Sequence, residues 1–102
     1  MENCKKIVKL ILPAVRLAVT RKAEESGIVQ TKIAKYLGIA QAEVSKYANN
    51  NVSGSIRELA DKLANRKEIE EIVEDIMRNE EEGKVSQKID EFCAEIARSS
   101  QL

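Results

Sequence analysis

Histidine and tryptophan are absent from this chain of 102 residues, and two tyrosines and one phenylalanine are its only aromatics. Aliphatic side chains must therefore build the core, and this length supports one domain with a core of modest size. With no histidine and with its two cysteines, Cys4 and Cys93, at opposite ends, the chain offers no spacing for a zinc site. Neither a Gly-rich phosphate loop nor a nucleophile-and-base arrangement is present, so no metal, no cofactor and no enzymatic activity are expected. Strand alternation and Asn-Gly or Asp-Gly hairpin signals are also missing, which argues against β-structure and a winged variant. No apolar stretch approaches the length of a membrane span. The apolar run Ile7–Leu12 follows Lys5 and Lys6 like the start of a signal peptide. It is too short, however, and runs into Pro13 and Arg16 rather than a small-residue cleavage site. A cytoplasmic location is expected, where both cysteines stay thiols.

What the chain does have is charge: 33 % of its residues, with formal charges that cancel to zero. The distribution is uneven. Residues 1–50 hold nine Lys/Arg against four Asp/Glu, or +5, while residues 51–102 hold eight against thirteen, or −5. A basic half and an acidic half suit a protein whose first half meets phosphates and whose second half stays off them.

The basic half contains the most informative run, QTKIAKYLGIAQAEVSKYAN at 30–49. Ile33, Ala34 and Leu37 share one face of a short helix, and Ala34 is small enough to let a second helix cross closely. Gly38 follows the last apolar position, where a left-handed residue ends a helix without penalty. Ile39 can plug the space under the turn. Val44, Tyr47 and Ala48 make the inner face of a second helix, leaving Gln41, Ala42, Ser45, Lys46 and Asn49 outside. Those outward residues match base-edge chemistry. Gln pairs with adenine through two hydrogen bonds, Ser bonds several edges, Ala meets the thymine methyl, and Lys reaches guanine or phosphate. Two helices at a steep angle with such a face read as a helix-turn-helix, a double-stranded-DNA reader.

This stretch resembles the Xre/Cro-type (lambda-repressor-like) helix-turn-helix, with Gln30, Ala34, Gly38, Ile39 and Val44 at the family's spacing. The wider pattern, LPAVR at 12–16 followed by GIVQTKIAKYLGIAQAEVSKYANN, is similar to a group of predicted archaeal transcriptional regulators, and the likeness covers roughly residues 12–60. The resemblance implies that Gln41, Ala42, Ser45 and Lys46 meet base edges, with Lys46 also able to reach phosphate. It implies that Gln30 donates to a phosphate and braces Gln41, and that Asn49 and Asn50 hold phosphates. Thr31 and Lys32 are further phosphate candidates, weighed against a plain helix start and a solvated charge. Related regulators often carry an effector domain, for which this length leaves no room, so no small-molecule effector is expected. They also tend to have more cysteine near the C-terminus than the lone Cys93, so no metal or redox role carries over.

Helical periodicity runs through the rest of the chain and completes an all-α fold class. Pro13 disfavours the α region at Leu12 and suits a helix start, so the first helix is expected at about 13–26, ending near Gly27. Residues 3–12 are left as a helix, a kinked extension or an arm, whose all-round apolar character suggests burial within the chain or against a second subunit, where it would assist the C-terminal dimerisation element. Ser55-Ile56-Arg57-Glu58 reads as a capping box opening a helix with Ile56, Leu59, Ala60, Leu63 and Ala64 on one face, and Arg57 there is a candidate phosphate contact. Asn65-Arg66-Lys67-Glu68 offers a second cap. The next helix carries the stripe Ile69, Ile72, Val73, Ile76 and Met77 and is closed by Glu80–Gly83. A last helix, about 85–99, carries Val85, Ile89, Phe92, Cys93, Ile96 and Ala97.

The expected organisation is a DNA-binding domain at 1–65 and a helical extension at 66–102 that serves as a homodimerisation element, the alternative being an intramolecular core. Together these make a sequence-specific transcriptional regulator with its recognition helix at about 41–49. The competing reading is a helix-turn-helix protein-interaction module, coactivator-like or antitoxin-like, with its acidic helices as the binding surface.

Overall fold

Pro13 shapes the N-terminal quarter of the chain, though not by starting a helix. In a computed structural model, which describes residues 2–99, α1 (Glu2–Lys6) passes through a π turn (Ile7–Ile11) into α2 (Leu12–Glu25). Leu12 keeps α-helical angles, φ −62° and ψ −47°, and its N–H donates to the carbonyl of Ile7. The expected break at Leu12–Pro13 is thus corrected. A proline ring inside a regular helix crowds the carbonyl four residues back, and a π turn just before it widens the helix enough to pass. Met1 and residues 100–102, which fall within the expected domain ranges, lie outside the described residues.

Five more α-helices follow: α3 (Gln30–Leu37), α4 (Gln41–Ala48), α5 (Gly54–Leu63), α6 (Lys67–Met77) and α7 (Glu82–Arg98), with no strand among the described residues. Helix α2 lies at the centre and packs against α4, α5 and α6, while α7 closes over the π turn, α6 and α3. Ala14, Val15, Leu17, Ala18, Val19 and Ala23 of α2 are all buried.

Local signals differ from the expected ones at three helix ends. Ser53, not Ser55, caps α5, its hydroxyl accepting from the Ile56 N–H at 3.4 Å. The cap, and with it the helix start, therefore lies two residues earlier than the expected capping box places it. Arg66, in extended conformation, precedes α6 and makes no side-chain cap. It donates instead to Glu68 and to Glu95 of α7, at 3.2 and 2.9 Å, with its guanidinium 5.2 Å from the Phe92 ring centre. That hydrogen bond holds the Glu68 carboxyl below the usual carboxylate range. Finally, α6 ends at Met77, the chain turns at left-handed Asn79 (φ 59°), and Gly83 belongs to the first turn of α7.

The apolar stripes expected to seat a second copy are turned inward. Ile69, Ile72, Val73 and Ile76 of α6 and Val85, Ile89, Phe92, Cys93, Ile96 and Ala97 of α7 join the same cluster as α2–α5. Met77 alone of the α6 stripe is exposed. The Cα radius of gyration, 12.5 Å, matches the ~13 Å of a single domain of this length. Residues 66–99 thus complete the core that 2–65 begins. Asp75, buried on α6, is neutralised by the Lys88 ammonium of α7, and that hydrogen bond raises the lysine above its ordinary range. Cys93 behaves as a small apolar residue, its thiol pushed up to about 11 chiefly by burial, whereas Cys4 is exposed.

One polar group in this core is left over. Thr20 is fully buried on α2, and its hydroxyl finds no hydrogen-bond partner among the described residues. A buried unsatisfied hydroxyl costs about 1–3 kcal/mol, while a valine fills the same volume without that cost. Thr20→Val is expected to raise stability by about 1 kcal/mol, read as a higher urea midpoint at unchanged slope. A lower midpoint would mean that the hydroxyl is satisfied.

Candidate nucleic-acid interface

Helices α3 and α4 are joined by a short turn whose geometry follows from one residue. Gly38 sits at φ 68°, ψ 34°, and the next N–H, that of Ile39, reaches back to the Ala34 carbonyl at 3.1 Å. This is the left-handed helix ending that only a residue without Cβ adopts freely. Ile39 packs half-buried against the core under the turn. Ile33, Ala34 and Leu37 face inward as the spacing predicts, and so does Tyr36, which the spacing did not single out.

On α4, Val44 and Tyr47 are buried, which turns the opposite face outward. Gln41, Ala42, Lys46 and Asn49 are exposed there and Ser45 is half-buried. Positions 41, 42, 45, 46 and 49 follow helical spacing, so the four expected base contacts and Asn49 share one surface. Ala40, which precedes α4, has no side chain able to cap it. Behind the helix, Glu43 accepts from the Tyr47 hydroxyl at 3.2 Å and lies 3.6 Å from Arg16 of α2. Desolvation, with Glu43 adding to it, keeps the Tyr47 proton on above the usual phenol range. Arg16 thus ties the orientation of α4 to the central helix.

The expected phosphate contacts divide into two groups. Thr31 and Asn49 are exposed and Lys32 is half-buried, and no side-chain hydrogen bond or ion pair engages them among the described residues. The other three are engaged within the protein. Gln30 does not brace Gln41; its amide donates to Glu24 at 3.0 Å. Asn50 is left-handed at φ 56°, and its side-chain oxygen accepts from Arg21 Nε and Nη2 at 3.2 and 2.7 Å. Arg57 folds back from α5 to donate to the Val52 carbonyl at 2.9 Å and the Asn50 carbonyl at 3.4 Å.

The acidic half does not stay away from this surface either. The turn between α6 and α7 abuts α3, where the Tyr36 hydroxyl donates to the Glu80 carbonyl at 2.6 Å and Lys35 lies 3.5 Å from Glu82. A cleft of about 530 Å³ opens there, lined by Thr31, Lys32 and Lys35 on one side and Glu80, Glu81 and Glu82 on the other. Charge segregation along the chain therefore does not become full segregation in space. Among the described residues no cluster of metal-ligating side chains occurs, and no helix is long and apolar enough to cross a membrane.

Compared with known proteins, the chain matches no family model, no curated protein and no solved structure.

The Tyr36 hydroxyl is what fastens the acidic corner to α3. Tyr36→Phe should cost about 1 kcal/mol of stability, measured by urea unfolding. No change in the midpoint would show that packing and the Lys35–Glu82 pair hold the corner without it.

Proposed function

We propose that this protein is a sequence-specific DNA-binding transcriptional regulator whose α3–turn–α4 unit is a lambda-repressor-like helix-turn-helix. The observation that carries this reading is the division of α4 into two faces. Val44 and Tyr47 anchor it to the core, while Gln41, Ala42, Ser45, Lys46 and Asn49 project together from a rigidly seated helix. A helix so mounted fits the major groove of double-stranded DNA, with Gln41 and Ser45 bonding base edges, Ala42 meeting a thymine methyl, and Lys46 reaching guanine or phosphate. Thr31, Lys32 and Asn49 then hold the flanking phosphates, which position the helix without reading sequence. Gln30, Asn50 and Arg57 also fix the protein's own backbone and side chains; Asn50 is engaged through its amide oxygen and Arg57 through Nη1, so both keep N–H donors for a phosphate.

Such readers act as dimers on half-sites about one helical turn (~34 Å) apart, and we assign this chain the same mode. With the α6 and α7 stripes consumed in the core, we assign a second copy to the π turn and the start of α2, where Val8 is 64 % exposed beside the half-buried Ile7, Leu10 and Leu12. The reading includes a cytoplasmic setting and assigns no catalytic chemistry, cofactor or small-molecule effector.

A second reading draws support from the acidic corner against α3. Glu80–Glu82 beside Lys32 and Lys35 weakens the pull of that edge on phosphates. A protein-interaction module is the function that such a corner favours.

Selection of bound sequences from a random-duplex pool, with an anisotropy titration in salt, separates the two. A regulator enriches a two-fold-symmetric site and loses affinity steeply as salt rises. Gln41→Ala then costs about 1–3 kcal/mol on that site, roughly 5- to 150-fold in affinity. Weak binding without enrichment supports the interaction module, and a Gln41→Ala variant as tight as wild type removes α4 from the role of reader.

A further inference from the structure

We infer that Arg21 of α2 is a positioning residue for DNA reading: its guanidinium clamps the turn after α4 to α5 and so fixes how the recognition face is presented. This inference rests on the DNA-binding reading above and assigns a role to a residue that carries no local motif.

The geometry is that of a three-way tie. Two nitrogens of Arg21 converge on the single side-chain oxygen of Asn50, at 3.2 and 2.7 Å, while the third points to Asp61 of α5 at 2.8 Å. Asn50 is in the left-handed region at φ 56°, which asparagine tolerates better than most non-glycine residues, and its side chain is free to meet Arg21. From the other side Arg57 grips the carbonyls of Asn50 and Val52. Residues 49–53, which lead from α4 to α5, are therefore pinned by side chains of α2 and α5. The pinned turn is in turn coupled to the reading face. The Asn51 N–H donates to the Lys46 carbonyl at 2.9 Å and the Asn49 N–H to the Ser45 carbonyl at 3.0 Å. A shift of the turn thus moves the last turn of α4, which carries Ser45, Lys46 and Asn49.

Exposure separates this role from simple stabilisation. The Asp61 side chain is 69 % exposed and that of Arg21 29 %, and exposed pairs contribute little to stability. Base-edge hydrogen bonds, by contrast, require side chains held within about 0.5 Å. The clamp therefore acts on selectivity far more than on the melting temperature.

Arg21→Lys is the decisive variant, because it keeps the charge and loses the planar fork that reaches two partners at once. Measured beside Arg21→Gln, it should lower the ratio of selected-site to random-duplex affinity about tenfold while leaving the salt slope at the wild-type value. Amide hydrogen exchange on the DNA-free proteins supplies a readout independent of binding. The Asn51 and Val52 amides should exchange severalfold faster in both variants, with the midpoint of thermal unfolding nearly unchanged. Full selectivity in Arg21→Lys, with a shallower salt slope only in Arg21→Gln, would make Arg21 a plain phosphate contact and overturn the clamp. Unaltered exchange at 51 and 52 would overturn it as well. Should the wild-type protein enrich no site, the DNA-binding reading fails and takes the reading role of Arg21 with it, while exchange still reports whether the turn is clamped.

Discussion

Helix α2 is buried along nearly its whole length, and each neighbouring helix takes its place from that contact. Ala14, Ala18 and Ala23 are small enough for other helices to approach closely, while Val15, Leu17 and Val19 fill the space between them. Complete burial of each larger side chain contributes about 1.5–3 kcal/mol. Helices α4, α5 and α6 are thereby fixed relative to one another through a shared partner. The residues from 66 onward are needed for the same reason. Without α6 and α7, the π turn, the outer side of α2 and the inner side of α3 would lie open to water. What reads along the chain as a small domain with an appendage is one core.

Polar contacts then join elements within that packed frame. Arg16 reaches Glu43 behind α4, Arg21 joins the turn after α4 to α5, and Lys35 meets Glu82 at the corner beside α3. The last two cross from the basic half of the sequence to the acidic half. Exposed pairs of this kind contribute about 0–1 kcal/mol each, so the fold does not depend on them. They join α3, α4 and the turn after α4 to neighbouring elements whose places packing has set. The same arrangement brings Glu80–Glu82 next to Lys32, so the candidate phosphate-binding edge carries its own counter-charge. On the proposed reading, non-specific attraction to the duplex is muted and a larger share of the affinity falls to the α4 face.

Features governed by short-range spacing were legible in the sequence. Gly38 announced the turn because its left-handed backbone excludes most other residues, and Val44 with Tyr47 announced the inner face of α4 because helical period alone dictates it. The stripes of α6 and α7 were legible as apolar faces for the same reason. Their partner was not, since periodicity says that a face is covered but not by which surface. Pro13 misled because a local rule against helix at Leu12 was overridden by tertiary burial of Ile11 and relieved by the π turn. Ser55 lost the cap to Ser53 although Ile56 stands where a capping box has Glu or Gln: the hydroxyl–N–H bond to Ile56 alone caps α5. At the candidate site, the outward residues of α4 followed from spacing, whereas the engagement of Asn50 did not. Its partner Arg21 lies 29 positions away, and Asp61 lies 40 positions from Arg21, separations that no motif spans. The proposed role of α4 on DNA rests on the chemistry of its outward face.

The central claim is that the surface formed by Gln41, Ala42, Ser45, Lys46 and Asn49 meets the duplex. Its most direct test is a backbone-amide NMR titration of the ¹⁵N-labelled protein with duplex DNA at low salt, mapped residue by residue. The account predicts that the largest shift changes fall on residues 41–49 and on 30–32, with α6 and the outer face of α7 silent. Changes centred on α6 and α7, or none beyond those that added salt produces, would contradict it.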